Sequence, residues 1–118
     1  MLADLECVGP VLAVHGNRDD DELLRRLPER RVVEAGEVRI GMVHDGGHAA
    51  GRGARLVSTF PGCDAVVYGH THVPEVERHD GVWILNPGSP TERRGRTPHR
   101  TLIELRTHPL EPRLVRLP

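Results

Sequence analysis

Four side chains with metal-ligating chemistry occupy equivalent places in this sequence: Asn17, His44, His70 and His72 each follow a short apolar run. Pro10-Val11-Leu12-Ala13-Val14 leads into His15-Gly16-Asn17, Val38 to Val43 leads into His44, and Ala65-Val66-Val67-Tyr68 leads into Gly69-His70-Thr71-His72. Apolar runs of this length read as buried strands, and loops leaving one edge of a sheet converge on a common point. Imidazole nitrogens and an amide oxygen suit borderline divalent cations such as Zn, Mn, Fe or Ni. Taken singly, a loop histidine is ordinarily a solvated side chain, and His15, His48, His79, His99 and His108 are read that way. The four together point to metal. Composition leans the same way, with eight histidines against one Trp, one Tyr and one Phe. His70 and His72, two apart in what reads as an extended segment, are expected to face one side, so that a single loop feeds two adjacent ions.

The elements that must position these residues follow from punctuation and periodicity. After the first strand, Asp19 to Asp21 cap a helix carrying Leu23, Leu24 and Leu27 on one face, which Pro28 stops. Arg31 to Glu34 and Val38 to Val43 read as two strands turning at Gly36. A glycine-rich loop from Gly46 to Gly53 precedes a helix over Ala54 to Phe60, with Leu56, Val57 and Phe60 inward, and Pro61-Gly62 ends it. An extended stretch runs from Pro74 to Arg78, and a turn at His79-Asp80-Gly81 leads into a strand over Val82 to Leu85. Thr101 to Arg106 and Arg113 to Leu117 are the last strands. The Pro- and Arg-rich run from Ser89 to Pro98 resembles a linker.

Composition bounds the function classes. A chain of 118 residues is one ordinary domain. Its 17 acidic and 16 basic residues nearly cancel, so no net field points to nucleic acid, and stacking aromatics are scarce. The basic residues are all Arg, which in a site favours forked contacts with phosphate oxygens and at a surface signifies little. Cys7 and Cys63 lie far apart and fit neither a zinc knuckle nor a disulfide framework. The sequence has no apolar run long enough to span a bilayer and no secretion signal, so a cytoplasmic protein is expected.

Gly16-Asn17-Arg18-Asp19, the strand-borne His44, Gly69-His70-Thr71-His72 and Asn86-Pro87-Gly88-Ser89 occur in an order that resembles the calcineurin-like metallophosphoesterases. Within them it is similar to the small YfcE-type phosphodiesterases related to the retromer subunit Vps29. The resemblance runs from about Leu5 to the end. It implies an α/β fold, a four-layer α/β/β/α sandwich present here as its C-terminal part. It also implies that Asn17, His44 and His70 bind one metal and His72 the other. In such sites two ions about 3.5–4 Å apart acidify the attacking water and stabilise in-line displacement at phosphorus. Asn17, Arg18 and His70 are the residues on which turnover is expected to depend. Arg18, at a variable position of its motif, is either a fork for a phosphate oxygen or a solvent-facing side chain.

The family begins with a strand ending in Asp-x-His, followed by a Gly-Asp loop whose carboxylate bridges both ions; this sequence has neither. Residues 1–118 are therefore expected to form a single, N-terminally truncated domain that holds one ion or none, with impaired hydrolysis of a phosphodiester or phosphomonoester. Exposed strand edges left by truncation would favour a homo-oligomer or association with a missing N-terminal half. The alternative is a non-catalytic, Vps29-like protein-binding scaffold. Asp45 is open to two readings, as a hydrogen-bond acceptor beside the ligands or a solvated carboxylate. Arg93 and Arg94 are likewise open, as guides for an anionic substrate or a solvated face.

Overall fold

A computed structural model describes Val14, residues 28–89 and residues 100–117. Residues 10–13 of the expected first strand, the helix at 19–27, and Asn17 and Arg18 lie outside those bounds, as do Arg93, Arg94 and the rest of the stretch from 90 to 98.

Two strands open the described part, β1 (Arg30–Ala35) and β2 (Val38–Val43), paired antiparallel with Ala35 opposite Val38. A loop of only two residues closes this hairpin, and Gly36 at φ 63° supplies the positive dihedral that its first position requires. Helix α1 (Arg52–Thr59) then carries the chain back, and β3 (Ala65–Tyr68) lies parallel to β2. A second hairpin follows, β4 (Glu75–His79) and β5 (Val82–Asn86), with β5 parallel to β3. Its turn, Asp80-Gly81, has both φ values positive, 51° and 78°, the backbone that Asp-Gly adopts most readily between twisted strands. Among the described residues these five strands form one sheet in the order β1-β2-β3-β5-β4. A separate hairpin comprises β6 (Arg100–Thr107) and β7 (Leu110–Leu117). The α/β class expected from the sequence is the one observed.

Packing of α1 on the sheet forms the core. Leu56, Phe60, Cys63, Val66, Tyr68 and Ile84 are buried together, with Val43, Val57 and Val82 packed against them. Burial of a side chain such as Leu56 or Phe60 contributes about 1.5–3 kcal/mol. Gly41 lets the helix approach closely, since a Cβ there would lie 2.5 Å from Phe60 Cγ.

Three parallel strands, β2, β3 and β5, finish at one edge of the sheet. Met42 pairs with Val67 and Val67 with Leu85, so Val43, Tyr68 and Asn86 end the strands side by side. That alignment fixes where chemistry can be assembled. Among the described residues no helix is long and apolar enough to cross a membrane.

Candidate metal centre

His44 and His70 leave neighbouring strand ends, and their backbones meet directly: Gly69 N donates to His44 O at 2.7 Å. Their imidazoles stand edge to face with centroids 5.4 Å apart and planes at 81°. Two imidazoles on one cation, with nitrogens about 2.1 Å from it and a near-tetrahedral angle, put their centroids about 5 Å apart. The centroid spacing of the pair is compatible with a shared divalent ion. Among the described residues no group of three or more His, Cys, Asp or Glu is arranged to hold a metal. Asn17, the expected amide donor, lies outside the described residues.

The expected extended run through His70 and His72 is corrected by the backbone. His70 has φ 71° and His72 φ 59°, both left-handed, so alternation does not place their side chains on one side. Each such dihedral costs a non-glycine residue on the order of 1–3 kcal/mol and persists only where neighbours enforce it. Enforcement is visible around Thr71. Thr71 N donates to Gly69 O at 2.9 Å, Val73 N donates to Thr71 Oγ1 at 3.2 Å, and Asn86 Nδ2 donates to Thr71 Oγ1 at 3.0 Å. Asn86 is completely buried, and its Oδ1 accepts from Gly88 N at 2.9 Å. The Asn86-Pro87-Gly88-Ser89 motif is thereby a brace for the His70–His72 loop, a role its sequence alone did not disclose. Thr101 secures the brace from β6, donating through Oγ1 to Pro87 O and through N to Ser89 O, each at 2.8 Å. Gly88 must lack a side chain, because a Cβ would collide with Thr101 Oγ1.

Asp45 follows His44 on an exposed turn, where its Oδ1 accepts from Gly47 N at 2.8 Å. That bond, with smaller contributions from the charges of His70, His44 and Arg52, holds its carboxyl below the usual range against a modest opposing effect of burial. Asp45 is thus a turn former that leaves negative charge beside the imidazoles. His48 is exposed, and its carbonyl accepts from Arg55 Nη2. Tyr68, at the end of β3, is 2 % exposed and donates to Glu75 Oε1 at 2.7 Å while accepting from Arg52 Nη1 at 3.0 Å. Burial chiefly, then the Glu75 carboxylate, pushes its phenol above the ordinary value. Arg52, Tyr68 and Glu75 escaped sequence reasoning. The available signal was two arginines in the first turn of α1, where the helix dipole disfavours cations.

The calcineurin-like phosphoesterase superfamily domain matches residues 1–108. A probable metallophosphoesterase of Methanocaldococcus jannaschii is 33 % identical over 109 residues, 89 % of this chain and 53 % of that protein. The chain thus spans about half the length of that curated relative. A novel archaeal phosphodiesterase of known structure is 27 % identical, with TM-score 0.71 over 92 % of this chain and 70 % of its own. Vps29 of Entamoeba histolytica, solved in complex with Zn2+, shares the fold at TM-score 0.70 and 23 % identity, over 98 % of this chain and 74 % of its own. The chain belongs to the calcineurin-like phosphoesterase superfamily.

Proposed function

We propose that the chain supplies the histidine half of a metallophosphoesterase centre and takes part in the hydrolysis of phosphodiesters by a metal-activated water. The juxtaposition of His44 and His70, 5.4 Å between centroids at the ends of adjacent parallel strands, is the observation that carries this reading. In it His44, His70 and Asn17 hold one divalent ion, and His72 contributes to a second. An ion held there supplies Lewis acidity at the phosphoryl oxygen and acidifies the attacking water. The chain's own residues do the positioning: Asn86 and Thr71 hold the loop that presents His70, and Arg18 offers a fork for a phosphate oxygen. Association with an N-terminal half is one assembly that would bring further ligands to a two-ion site. A homo-oligomer is the other assembly this proposal allows.

Turnover of a chromogenic phosphodiester with added Mn2+ tests the reading. It is expected to be weak in the 118-residue chain and lost in His70→Ala. Activity that survives this substitution would refute it.

The exposed Val73 and Val76, 49 % and 38 %, lie in and beside the edge strand β4 and favour a second reading, a protein-binding scaffold of the Vps29 kind. Binding of a partner protein that persists in chelator, without turnover in any assembly, would select it.

A further inference from the structure

Two loops present the candidate ligands, residues 44–48 after β2 and residues 69–74 after β3, and three side chains outside the ligand set join them. Tyr68 stands immediately before the second loop and Glu75 immediately after it, so the 2.7 Å hydrogen bond between their side chains closes that loop at its base. Arg52 extends the connection to the first loop. Its Nη1 donates to Tyr68 Oη at 3.0 Å, while Nε and Nη2 both donate to Gly47 O, at 3.3 and 3.1 Å. The guanidinium carbon also lies 4.8 Å from the centroid of the Tyr68 ring.

The site of this arginine is against the local rule. Arg52 is the first residue of α1, whose N-terminal turn has no acidic side chain and where a cation opposes the helix dipole. A charged fork retained there is accounted for by the two loops it joins, because one planar group with five donors reaches both acceptors, which an ammonium does not do with the same geometry. The hydroxyl at the centre of the chain belongs to a residue only 2 % exposed, so these hydrogen bonds act in a sheltered, low-dielectric setting.

We propose that Arg52, Tyr68 and Glu75 form a positioning relay that fixes the spacing of the His44 and His70 imidazoles and so sets the site's affinity for a divalent cation. The proposal rests on the reading of those two histidines as ligands of one ion. The three residues act through the loop backbones, and none is offered as a ligand.

Co2+ alone, followed by its ligand-field absorption in the full chain, tests the relay without any need for turnover. Tyr68→Phe and Arg52→Lys are expected to weaken Co2+ binding by about tenfold or more and to alter the absorption band. Glu75→Gln keeps an acceptor oxygen for the tyrosine and is expected to restore affinity and spectrum close to wild type, whereas Glu75→Leu behaves like Tyr68→Phe. Leu56→Ala lowers stability from the core and, well below its melting temperature, is expected to leave both readouts unchanged. The relay is overturned if Tyr68→Phe and Arg52→Lys bind Co2+ as wild type does while His70→Ala does not bind. Equal weakening by Leu56→Ala overturns it as well, since the effect is then one of general stability. Unchanged Co2+ binding in both His44→Ala and His70→Ala strikes instead at the ligand assignment, and the relay falls with it.

Discussion

At the scale of single residues, the candidate site is maintained by side chains that never need to touch a metal. Asn86 is the plainest case: fully buried, it satisfies its amide with Thr71 and Gly88 and so holds two left-handed histidines in place. Replacing Asn86 with Ala leaves Gly88 N and Thr71 Oγ1 short of a partner, and the expected loss is about 1–3 kcal/mol, measurable by urea denaturation. A loss indistinguishable from zero would remove Asn86 from the account. Tyr68 gives a prediction in pH. Its phenol ionises above the ordinary value of 10.0 in the folded chain, so the folded state binds this proton more tightly than the unfolded state does. Its stabilising effect is complete below pH 10.0 and is lost as pH rises through the higher folded value. Metal-free wild type should therefore lose stability in alkaline solution more steeply than Tyr68→Phe, a comparison that thermal melts across this range make directly. Parallel slopes would contradict it.

The elements show where sequence reasoning succeeded and where local physics escaped it. β3 and β5 were legible because uninterrupted apolar runs have few alternatives, β2 because its largely apolar residues follow the Gly36 turn, and the Asp80-Gly81 turn because few other dipeptides favour its two positive dihedrals. Helix α1 begins at Arg52 rather than the expected Ala54, since Gly51 at φ 71° starts the helix and Arg52 is held by bonds to a loop that no periodicity reveals. β7 begins at Leu110, three residues before the expected Arg113. Pro112 reads as a breaker in sequence, yet Pro is tolerated at an edge, and β7 has a hydrogen-bonded neighbour on one side among the described residues. The left-handed His70 and His72 were the substantive miss. Alternation does not carry past Gly69, because the strand ends at Tyr68 and side-chain hydrogen bonds take over. A core prediction belongs at this scale. Gly41→Ala forces the Phe60 ring off the sheet and should destabilise by about 1–3 kcal/mol, whereas Phe60→Ala, which opens a cavity, should cost about 3–5 kcal/mol. Denaturant midpoints check the order, and an equal or reversed ranking would show that α1 seats differently.

For the whole molecule, the metallophosphoesterase family is established, and what the centre does follows from how many donors can be gathered around one ion. The four ligand-like residues read as a set in the sequence because each follows an apolar run expected to form a strand, and parallel strands bring their ends together irrespective of distance along the chain. Their convergence in space is described for His44 and His70. A ligand that binds the folded chain alone stabilises it in proportion to the logarithm of its concentration over Kd, about 2.7 kcal/mol at a hundredfold excess over Kd. Zn2+ should accordingly raise the melting temperature of wild type, chelator should reverse the rise, and His70→Ala should show neither effect.

The most direct measurement is a Zn2+ titration followed through the 15N-labelled imidazole resonances of His44 and His70. Coordinate shifts of both rings, saturating together with one equivalent, are the predicted result. Rings that respond at different equivalents, or not at all while the chain stays folded, would contradict a shared ion.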